Sequence, residues 1–276
     1  MLFNIATRTK PILKWAGGKS SLLAQLIPLF PNKFQRYIEP FCGGGAVFFA
    51  LDTNLGLPSF INDISKDLYS LYLTIRDQPF DLMRALDYLH TQYSEEFYYQ
   101  VRAYAPETTL DIAARTVFLN KTGFNGLYRL NSKDKFNVPF GKRTHCPKLY
   151  DEKHLLEASV RLKHASILNL DFETLLTDSK AGDFIYCDPP YEPLSATSSF
   201  NSYHGIPFSM SEQVRLFEAC LKASTRGAFV AISNSSSPKI LDLYKKNITH
   251  KIYARRSINT KGNQRGPIEE VLLTLY

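Results

Sequence analysis

The pattern between residues 37 and 63 limits the fold of this chain more than any other stretch. Residues 37–41 predict a strand that runs into the glycine loop 43–45, residues 46–51 predict a helix, and residues 59–63 predict a second strand. This order is the β-loop-α-β unit of doubly wound α/β sheets, in which glycines let a ligand approach the backbone closely. The sequence therefore predicts an α/β sheet with a ligand site beside the glycine loop.

This unit alone does not determine which ligand it binds. Asp63 lies 20 residues after Gly43, at the end of the second strand, where an acid accepts hydrogen bonds from ribose hydroxyls. Gly43 and Gly45 match the first half of the GxGxxG fingerprint, but Phe48 stands at its sixth position. NAD, FAD and S-adenosylmethionine (SAM) are all compatible with such a unit.

Strands and helices alternate again in the second half of the chain. The further predicted strands are 166–170, 184–187, 228–233 and 271–276, and the predicted helices are 21–29 and 210–222. Residues 65–119 have mostly helical patterns, and residues 120–150 are polar, basic and rich in Asn, Gly and Pro, which predicts a loop or hairpin. We expect a Rossmann-like sheet with helices on both faces, built from residues 1–65 and 151–276, and a mostly helical insertion of residues 66–150.

Asp188-Pro189-Pro190-Tyr191 follow a short apolar strand pattern. An acid at the carboxyl end of a strand lies in the crevice where open α/β sheets bind ligands. Two prolines fix φ twice and remove two N–H donors, so carboxylate and carbonyl oxygens remain as acceptors beside an aromatic ring. Such a site suits a planar group that carries an NH2, which is the exocyclic amine of adenine, of cytosine or of an amide.

Two further segments carry residues suited to a cofactor. The run KWAGGKS at 14–20 is not a P-loop, because Leu13 stands where that motif requires glycine. Lys19 would instead meet a carboxylate, and Trp15 would pack near a sulfonium or a ring. Asp171-Phe172 follow a predicted strand and would reach the same rim, where an acid and a ring suit adenine.

Composition and charge exclude several classes of protein. The 276 residues contain no apolar run long enough to span a membrane, and the first ten lack the apolar region of a signal peptide. The four cysteines form no CxxC pair and the six histidines have no ligand spacing, so we expect no metal and a reduced, cytoplasmic setting.

The net charge is +7, and seven of the basic residues fall within 28 residues of the insertion: Lys121, Arg129, Lys133, Lys135, Lys142, Arg143 and Lys148. Such a cluster is compatible with a solvated loop or with a nucleic-acid surface.

Seven segments in this order resemble the Dam-type DNA adenine-N6 methyltransferases over essentially the whole chain. They are KWAGGK (14–19), EPFCGGGAVFF (39–49), IND (61–63), NKTGFNGLYRLNSKDKFNVPFGK (120–142), DFE (171–173), IYCDPPY (185–191) and SNSSS (233–237). The sequence is most similar to members that act on GATC sites in restriction–modification systems, and the order of the segments is that of the α group.

The resemblance implies a role for each matching residue. It implies SAM as the cofactor, with contacts from Trp15, Lys19, Phe41, Gly43, Gly45, Asp63, Asp171, Phe172 and Asp188. It implies catalysis at Asp188, Pro189, Pro190 and Tyr191. It implies DNA contacts from Phe124, Asn125, Leu127, Arg129, Asn131 and Pro139. Among these, Arg129 would read the outer guanine, Phe124 would wedge into the opened duplex, and the two asparagines would contact the backbone or the orphaned thymine.

The resemblance also implies a setting. The partner would be double-stranded DNA, the protein would be a monomer in the cytoplasm of a bacterium or encoded by a phage, associated with the nucleoid, and a restriction endonuclease would be its genetic partner. Residues 194–206 and 257–267 are expected to form polar, mobile loops near the site.

Three other functions compete with this one. A SAM-dependent enzyme acting on RNA or on a glutamine amide shares the cofactor, although amide enzymes commonly have Asn where this chain has Asp188. A non-catalytic DNA-binding protein leaves the DPPY segment and the cofactor loops without a purpose. A nicotinamide-dependent dehydrogenase accounts for the glycine loop but not for KWAGGK or DPPY.

Overall fold

A seven-stranded sheet lies at the centre of the fold. The structure, a computed structural model, describes residues 2–3, 9–51, 56–131, 133–192, 208–245, 247–254 and 268–276. Its strands are β1 (Arg36–Glu39), β2 (Ser59–Asn62), β3 (Ala165–Leu168), β4 (Asp183–Cys187), β5 (Phe229–Ser235), β6 (Ile248–Ala254) and β7 (Ile268–Thr274). The order across the sheet is β3-β2-β1-β4-β5-β7-β6. The first five strands are parallel, whereas β7 is antiparallel to β5 and β6 is antiparallel to β7.

The strand order reverses at β1. Ile38 of β1 pairs with Phe60 of β2 on one side and with Ile185 of β4 on the other. From β1 the chain builds outward first to β2 and β3 and then, in the other direction, to β4 and β5. In open α/β sheets the ligand crevice lies at the carboxyl ends of the strands at this switch point.

Most of the helices begin at a residue whose side chain caps them. The helices are α1 (Leu23–Leu26), α2 (Lys66–Asp77), α3 (Pro79–Thr91), α4 (Glu95–Ala103), α5 (Thr109–Thr122), α6 (Glu152–Leu162), α7 (Phe172–Thr177), α8 (Met210–Thr225) and α9 (Pro238–Tyr244). Ser65, Thr108 and Asp171 are three of the residues whose side chains accept a backbone N–H in the first turn. Each such cap satisfies a donor that the helix itself leaves free.

Alternate residues of β4 face two separate cores. Phe184 and Tyr186 belong to the core that includes α2–α6, whereas Ile185 and Cys187 belong to the core formed with α7, α8 and α9. This alternation follows from the two-residue period of a strand, and it requires apolar cover on both faces. The expected α/β class with helices on both faces is confirmed.

Helices α2–α5 occupy the region expected to be helical. Leu68 and Leu71 of α2, Leu82 of α3 and Val117 of α5 belong to the same core as the sheet residue Tyr37. The region is therefore packed continuously onto one face of the sheet. The limits of the recognition domain at residues 66 and 150 stay a prediction.

Some predicted elements differ from the observed ones. The helix expected at residues 46–51 is a single 3-10 turn at Phe48–Ala50, because Leu51 has extended backbone (ψ 146°) and forms a β-bridge with Phe3. The helix expected at 21–29 is shortened to α1 between two 3-10 turns, one of which contains Pro28. Strand β6 and helix α9 were not predicted. The loops expected at 194–206 and 257–267 lie outside the described residues.

Candidate active site

A cavity of about 760 Å³ opens at the carboxyl ends of β1, β2 and β4. Its wall contains the N-terminal segment 10–20, the glycine loop after β1, the residues after β2 and β3, and the DPPY segment after β4. All nine residues expected to contact the cofactor belong to these segments, and eight of them line the cavity directly: Trp15, Lys19, Phe41, Gly43, Asp63, Asp171, Phe172 and Asp188. Gly45 lies one turn further on, with Phe49 and Tyr72 beside it.

Gly43 joins three parts of this wall. Its N–H donates to Asp63 Oδ2 at 2.8 Å, and its carbonyl accepts from the hydroxyl of Tyr72 at 2.6 Å. Its φ is +51°, and a Cβ at this position would lie 3.0 Å from the indole of Trp15. Only glycine combines this backbone conformation with so close an approach. These contacts fix the conformation of the loop at the cavity wall.

Asn62 braces the loops that follow β1, β2 and β3, although sequence reasoning assigned it no role. Its Nδ2 donates to Pro40 O at 2.9 Å and to Leu170 O at 3.0 Å, and its Oδ1 accepts from Leu170 N at 2.8 Å. The side chain is almost fully buried. Because these bonds tie loops far apart in sequence, they fix how Asp63 and the segment after β3 face each other.

Lys19 and Asp188 form a buried ion pair. The Nζ of Lys19 lies 2.8 Å from Asp188 Oδ1 and also donates to Gly17 O at 2.7 Å. Burial raises the pKa of Asp188, and the Lys19 ammonium opposes this rise. The same ammonium lies 4.7 Å from the centre of the Tyr191 ring. The N-terminal segment therefore supplies the counter-ion of the DPPY acid.

The tyrosine of the DPPY segment is held at its hydroxyl. Tyr191 Oη donates to Glu270 Oε2 at 2.8 Å, and Glu270 lies on β7. Burial, together with the charges of Asp188 and Glu270, raises the pKa of Tyr191 well above its ordinary value. The hydroxyl therefore stays protonated and acts as a donor.

Hydrogen bonds fix the backbone carbonyls of Pro190 and Glu192, at the end of the DPPY segment and directly after it. Gln213 Nε2 donates to Pro190 O at 2.8 Å, and the Gln213 amide oxygen accepts from Asn234 Nδ2 at 2.9 Å. Ser235 Oγ donates to Glu192 O at 2.9 Å. Asn234 and Ser235 belong to the SNSSS segment, so this segment holds the DPPY backbone. Within the described residues no donor reaches the carbonyl of Pro189.

Three phenylalanines form an aromatic wall on the other side of the cavity. The ring of Phe41 lies 5.4 Å from that of Phe172 and 5.7 Å, edge-on, from that of Phe208. The guanidinium of Arg215 lies 4.2 Å from the centre of the Phe172 ring. This wall has the width and chemistry for a flat heterocycle.

Asp171 lies beside this wall but already has a strong partner. Its Oδ1 and Oδ2 accept from Arg215 at 3.1 and 2.8 Å, and Oδ1 also accepts from Glu173 N at 2.9 Å. Burial raises the pKa of Asp171, but these hydrogen bonds outweigh it and lower the pKa overall. The expected contact of this carboxylate with adenine stays a prediction, and Arg215 is a site residue that nothing in the local sequence indicates.

Glu39, at the end of β1, is a further carboxyl that the sequence did not single out. It is buried, lines the cavity, and accepts from Tyr37 Oη at 2.9 Å. Burial raises the pKa of Glu39 well above its ordinary value, and the charges of Asp188 and Asp63 raise it further. The hydrogen bond from Tyr37 acts in the opposite direction and lowers this pKa.

Residues 123–131 and 133–141 run antiparallel to each other and are called the hairpin below; they include the residues expected to contact DNA. Phe124 N donates to Pro139 O at 2.9 Å, Asn137 N to Arg129 O at 3.0 Å and Asn131 N to Lys135 O at 2.9 Å. Phe124 is 49% exposed, so its side chain is accessible to another molecule. Asn125 has φ +55°, which turns the chain directly after this ring.

The polar side chains of the hairpin are oriented by the hairpin itself. Arg129 Nε donates to Asn137 Oδ1 at 2.7 Å, which fixes one edge of the guanidinium. Asn131 Oδ1 accepts from the backbone of Lys133 and Lys135, so this asparagine shapes the turn. Leu127 is partly buried against the core. The roles expected for these residues toward DNA stay predictions.

The hairpin and the N-terminal segment are in direct contact. Asn120 Nδ2 donates to Lys14 O at 2.9 Å and to Gly126 O at 3.1 Å. The rings of Trp15 and Tyr128 lie 4.7 Å apart. The surface expected to read DNA and the wall of the cavity thus meet without an intervening element.

No helix in the described ranges is both long and apolar enough to cross a membrane. Across the same ranges, His, Cys, Asp and Glu side chains form no group that could hold a metal ion.

Comparison with known proteins identifies the family. The sequence profile of the D12 class N6 adenine-specific DNA methyltransferases matches residues 15–258, which is most of the chain. The chain belongs to this family. The D12 class accounts for both halves of the geometry above, since such an enzyme needs a cofactor cavity and a surface for DNA. The family expected from the sequence is confirmed.

Curated relatives of this D12 class methyltransferase span nearly its whole length. It is 39% identical to the type II methyltransferase M1.LlaDCHI of Lactococcus lactis subsp. cremoris over 275 residues, which cover 97% of this chain and 95% of that protein. It is 39% identical to the type II methyltransferase M.MjaIII of Methanocaldococcus jannaschii over 287 residues, 97% and 99% of the two chains. It is 32% identical to the DNA adenine methylase of Escherichia coli (strain K12) over 273 residues, 98% and 96% of the two chains.

Proposed function

We propose that this D12 class enzyme transfers a methyl group from SAM to N6 of an adenine within GATC in double-stranded DNA. The observation that carries the proposal is the arrangement of acceptors at the DPPY segment. The Asp188 carboxylate lies beside Tyr191, and the Pro189 carbonyl is left without a donor in the described part of the chain, whereas the carbonyls of Pro190 and Glu192 are occupied. Two acceptors beside a ring are what an exocyclic amine requires.

The side chains around the cavity match the functional groups of SAM. The phenylalanine wall with Arg215 suits the adenine, Asp63 the ribose hydroxyls, and Lys19 the methionine carboxylate. Asp63 Oδ2 accepts from Gly43 N and Asp63 Oδ1 accepts from Ser65 N, and these hydrogen bonds orient the carboxylate at the cavity wall. Trp15 faces Gly43 at the cavity wall, where its ring can pack near a sulfonium. When bound, SAM supplies an electrophilic methyl group.

The residues of this chain prepare the amine for attack. A base inside a duplex cannot reach the cavity, so the target adenine must be flipped out of the stack. Asp188 and the Pro189 carbonyl accept hydrogen bonds from N6, which favours a pyramidal nitrogen with an available lone pair. Tyr191 stacks on the base and fixes its distance. As positive charge develops on N6, the ionised Asp188 stabilises it more than it stabilises the ground state.

The hairpin reads the sequence around the target base. Arg129 is restrained at Nε by Asn137, and its remaining N–H groups suit O6 and N7 of the outer guanine. Phe124 occupies the space of the flipped base, while Leu127 and Pro139 contact neighbouring bases. Asn125 and Asn131 act on the backbone or the orphaned thymine. The lysines of the same segment contact phosphates, which sets register and salt dependence without reading sequence.

The biological setting is part of the proposal. Two relatives are named type II methyltransferases, and one relative is a DNA N-6-adenine-methyltransferase of Escherichia phage P1. We infer a monomer that acts on one strand at a time in the cytoplasm of a bacterium or after phage infection, with a restriction endonuclease as its genetic partner. Residues 1–65 and 151–276 form the catalytic part and residues 66–150 the recognition part.

Labelled SAM and two duplexes test the proposal. The duplexes are identical except that one contains GATC and the other GTAC, and digestion to nucleosides is followed by detection of N6-methyladenine. Label on GATC alone supports reaction, cofactor and site together. Equal label on both duplexes removes the GATC assignment, and label on neither, with SAM bound, removes the assignment of double-stranded DNA as substrate.

A further inference from the structure

The hydroxyl of Tyr191 is bonded to a residue that has no role in the mechanism above. Tyr191 Oη donates to Glu270 Oε2 at 2.8 Å. Stacking on a base requires only the ring of Tyr191, so the hydroxyl and its carboxylate partner need a separate explanation. A hydrogen bond from an O–H to a carboxylate is stronger than one between neutral groups, so this contact can hold the side chain in one direction.

The paired strands β5 and β7 hold the end of the DPPY segment at two points. Ser235 of β5 and Glu270 of β7 are directly opposite each other in the antiparallel register. Residues in such a pair carry their side chains on the same face of the sheet. Ser235 Oγ donates to Glu192 O at 2.9 Å, whereas Glu270 accepts the side chain of Tyr191. One cross-strand pair therefore fixes the backbone directly after Tyr191 and the far end of its side chain.

Three contacts restrain Tyr191, and each acts on a different rotation. Gln213 Nε2 donates to Pro190 O at 2.8 Å, which orients the peptide group before Tyr191. The hydroxyl oxygen lies on the axis from Cβ through the ring, so the bond to Glu270 fixes χ1 but leaves the ring able to turn about this axis. The Lys19 ammonium, 4.7 Å from the ring centre, lies over one face and limits that turning. The opposite face is then the one on which a base can stack.

We infer that Glu270 is a positioning residue that directs the ring of Tyr191 toward the target base. This inference rests on the proposed function, because it takes a flat base as the group that the ring meets. Glu270 acts only through the Tyr191 hydroxyl and contacts no reacting atom. Its contribution is geometric: a displacement of about 1 Å between reacting groups can lower a rate about 100-fold.

A double-mutant cycle tests this role. Single-turnover methylation is measured at saturating SAM and GATC duplex for the wild type, Glu270→Ala, Tyr191→Phe and the double variant. We expect each single substitution to lower the rate about tenfold, the effect of losing one hydrogen bond to a charged group, with little change in the affinities for SAM and duplex. Both substitutions break the same hydrogen bond, so the double variant should be no slower than the slower single variant. A double variant slowed by the product of the two single effects overturns the inference.

Two further variants separate positioning from a general effect on charge or fold. Glu270→Gln keeps an acceptor oxygen and is expected to recover most of the rate, whereas a rate as low as that of Glu270→Ala overturns the inference. Glu269→Ala is the matched control and should match the wild type. Glu269 carries the same charge, lies on the other face of β7 and pairs with Lys251 at 2.9 Å. If Glu270→Ala does not fold, Glu270→Leu takes its place in the cycle.

The NMR spectrum of ring-labelled tyrosine gives a measurement that needs no turnover. Tyr191→Phe identifies the signal of Tyr191 by its loss. We expect Glu270→Ala to move or broaden this signal and Glu269→Ala to leave it in place; an unchanged signal in Glu270→Ala overturns the inference. A wild type that methylates no adenine contradicts the proposed function instead, and the spectrum then still decides whether Glu270 orients the ring.

Discussion

The side-chain amide of Asn120 hydrogen-bonds both backbone groups of Lys14. Its Oδ1 accepts from Lys14 N at 3.3 Å, and its Nδ2 donates to Lys14 O at 2.9 Å. The same Nδ2 donates to Gly126 in the hairpin, and Lys14 Nζ donates to Asn125 O at 2.8 Å. One fully buried asparagine thus joins the segment that carries Trp15 and the hairpin that carries Arg129.

Asn120→Ala is expected to weaken both the binding of SAM and the binding of DNA. The substitution leaves Lys14 N, Lys14 O and Gly126 O without this partner, and because these groups are only partly buried, each lost hydrogen bond costs about 1 kcal/mol. Calorimetric titrations with SAM and with duplex, beside a thermal unfolding curve, measure the change. Thr116→Val is the matched control, because it loses a hydrogen bond only to Ile112 within the same helix. Equal effects of the two substitutions on ligand binding would refute the link.

Lys19→Met is expected to move the acid limb of the pH–rate profile to higher pH. Burial already raises the pKa of Asp188, and removing the opposing ammonium raises it further. The proposed reaction uses the ionised carboxylate. As the pH is lowered, the rate of the variant therefore begins to fall at a higher pH than the rate of the wild type. Single-turnover rates at saturating SAM give the midpoint. Lys239→Met, which removes an ion pair with Glu192 at 2.7 Å, should leave that midpoint in place.

Asp188→Ala is expected to lower the rate of methyl transfer by several orders of magnitude, whereas binding of the duplex is largely kept. In the proposed mechanism the carboxylate is the charged acceptor at the reacting nitrogen, whereas the hairpin proposed to bind DNA lies elsewhere. Initial rates and a gel-shift titration on the same preparation separate the two effects. Turnover near that of the wild type would show that Asp188 is not the acceptor.

Arg129→Ala is expected to relax discrimination at the outer guanine. Losing a bidentate contact to guanine removes about 1–3 kcal/mol of selectivity. Competition between GATC and a duplex with a changed outer base pair measures it. Lys135→Ala is the control: if it contacts a phosphate, it weakens both duplexes alike and lowers the salt dependence. Undiminished preference in Arg129→Ala would assign the readout to another residue.

Gly43→Ala is expected to weaken SAM binding more than Gly56→Ala does. Both glycines have positive φ, so both substitutions cause backbone strain of about 1 kcal/mol. At Gly43 the added Cβ also meets Trp15 at 3.0 Å, whereas nothing lies within 4 Å of a Cβ at Gly56. The difference between the two dissociation constants isolates the contact with Trp15. Identical constants would mean that the indole can shift without loss.

Local patterns account for the elements that were predicted from the sequence. The apolar run before Asp188 and the spacing from Gly43 to Asp63 are properties of short stretches, and both appear in the structure as β4 and as a direct hydrogen bond. The helix expected after Gly45 is instead cut short by a distant contact, because Leu51 is extended and forms a β-bridge with Phe3. The expected cavity segments come together because the carboxyl ends of parallel strands share one edge.

Contacts between distant residues could not be predicted. Glu270 and Tyr191 are 79 positions apart, Asn120 and Lys14 are 106 apart, and Arg215 and Asp171 are 44 apart. None of these partners has a neighbour in sequence that indicates the pairing. Arg215 looks like an ordinary surface residue of an amphipathic helix until the fold places it over Phe172.

Neighbouring strands β2 and β3 are separated in the chain by everything from Asp63 to His164. An exchange of this excursion leaves the order of the strands unchanged, provided that its buried side chains, which share one core with the sheet, are kept. Under the proposed function, DNA specificity is therefore open to replacement by recombination or by design, with one further condition. The transplanted segment must include the end of α5 with an amide that fits Lys14, because the recipient's N-terminal segment is shaped to that partner.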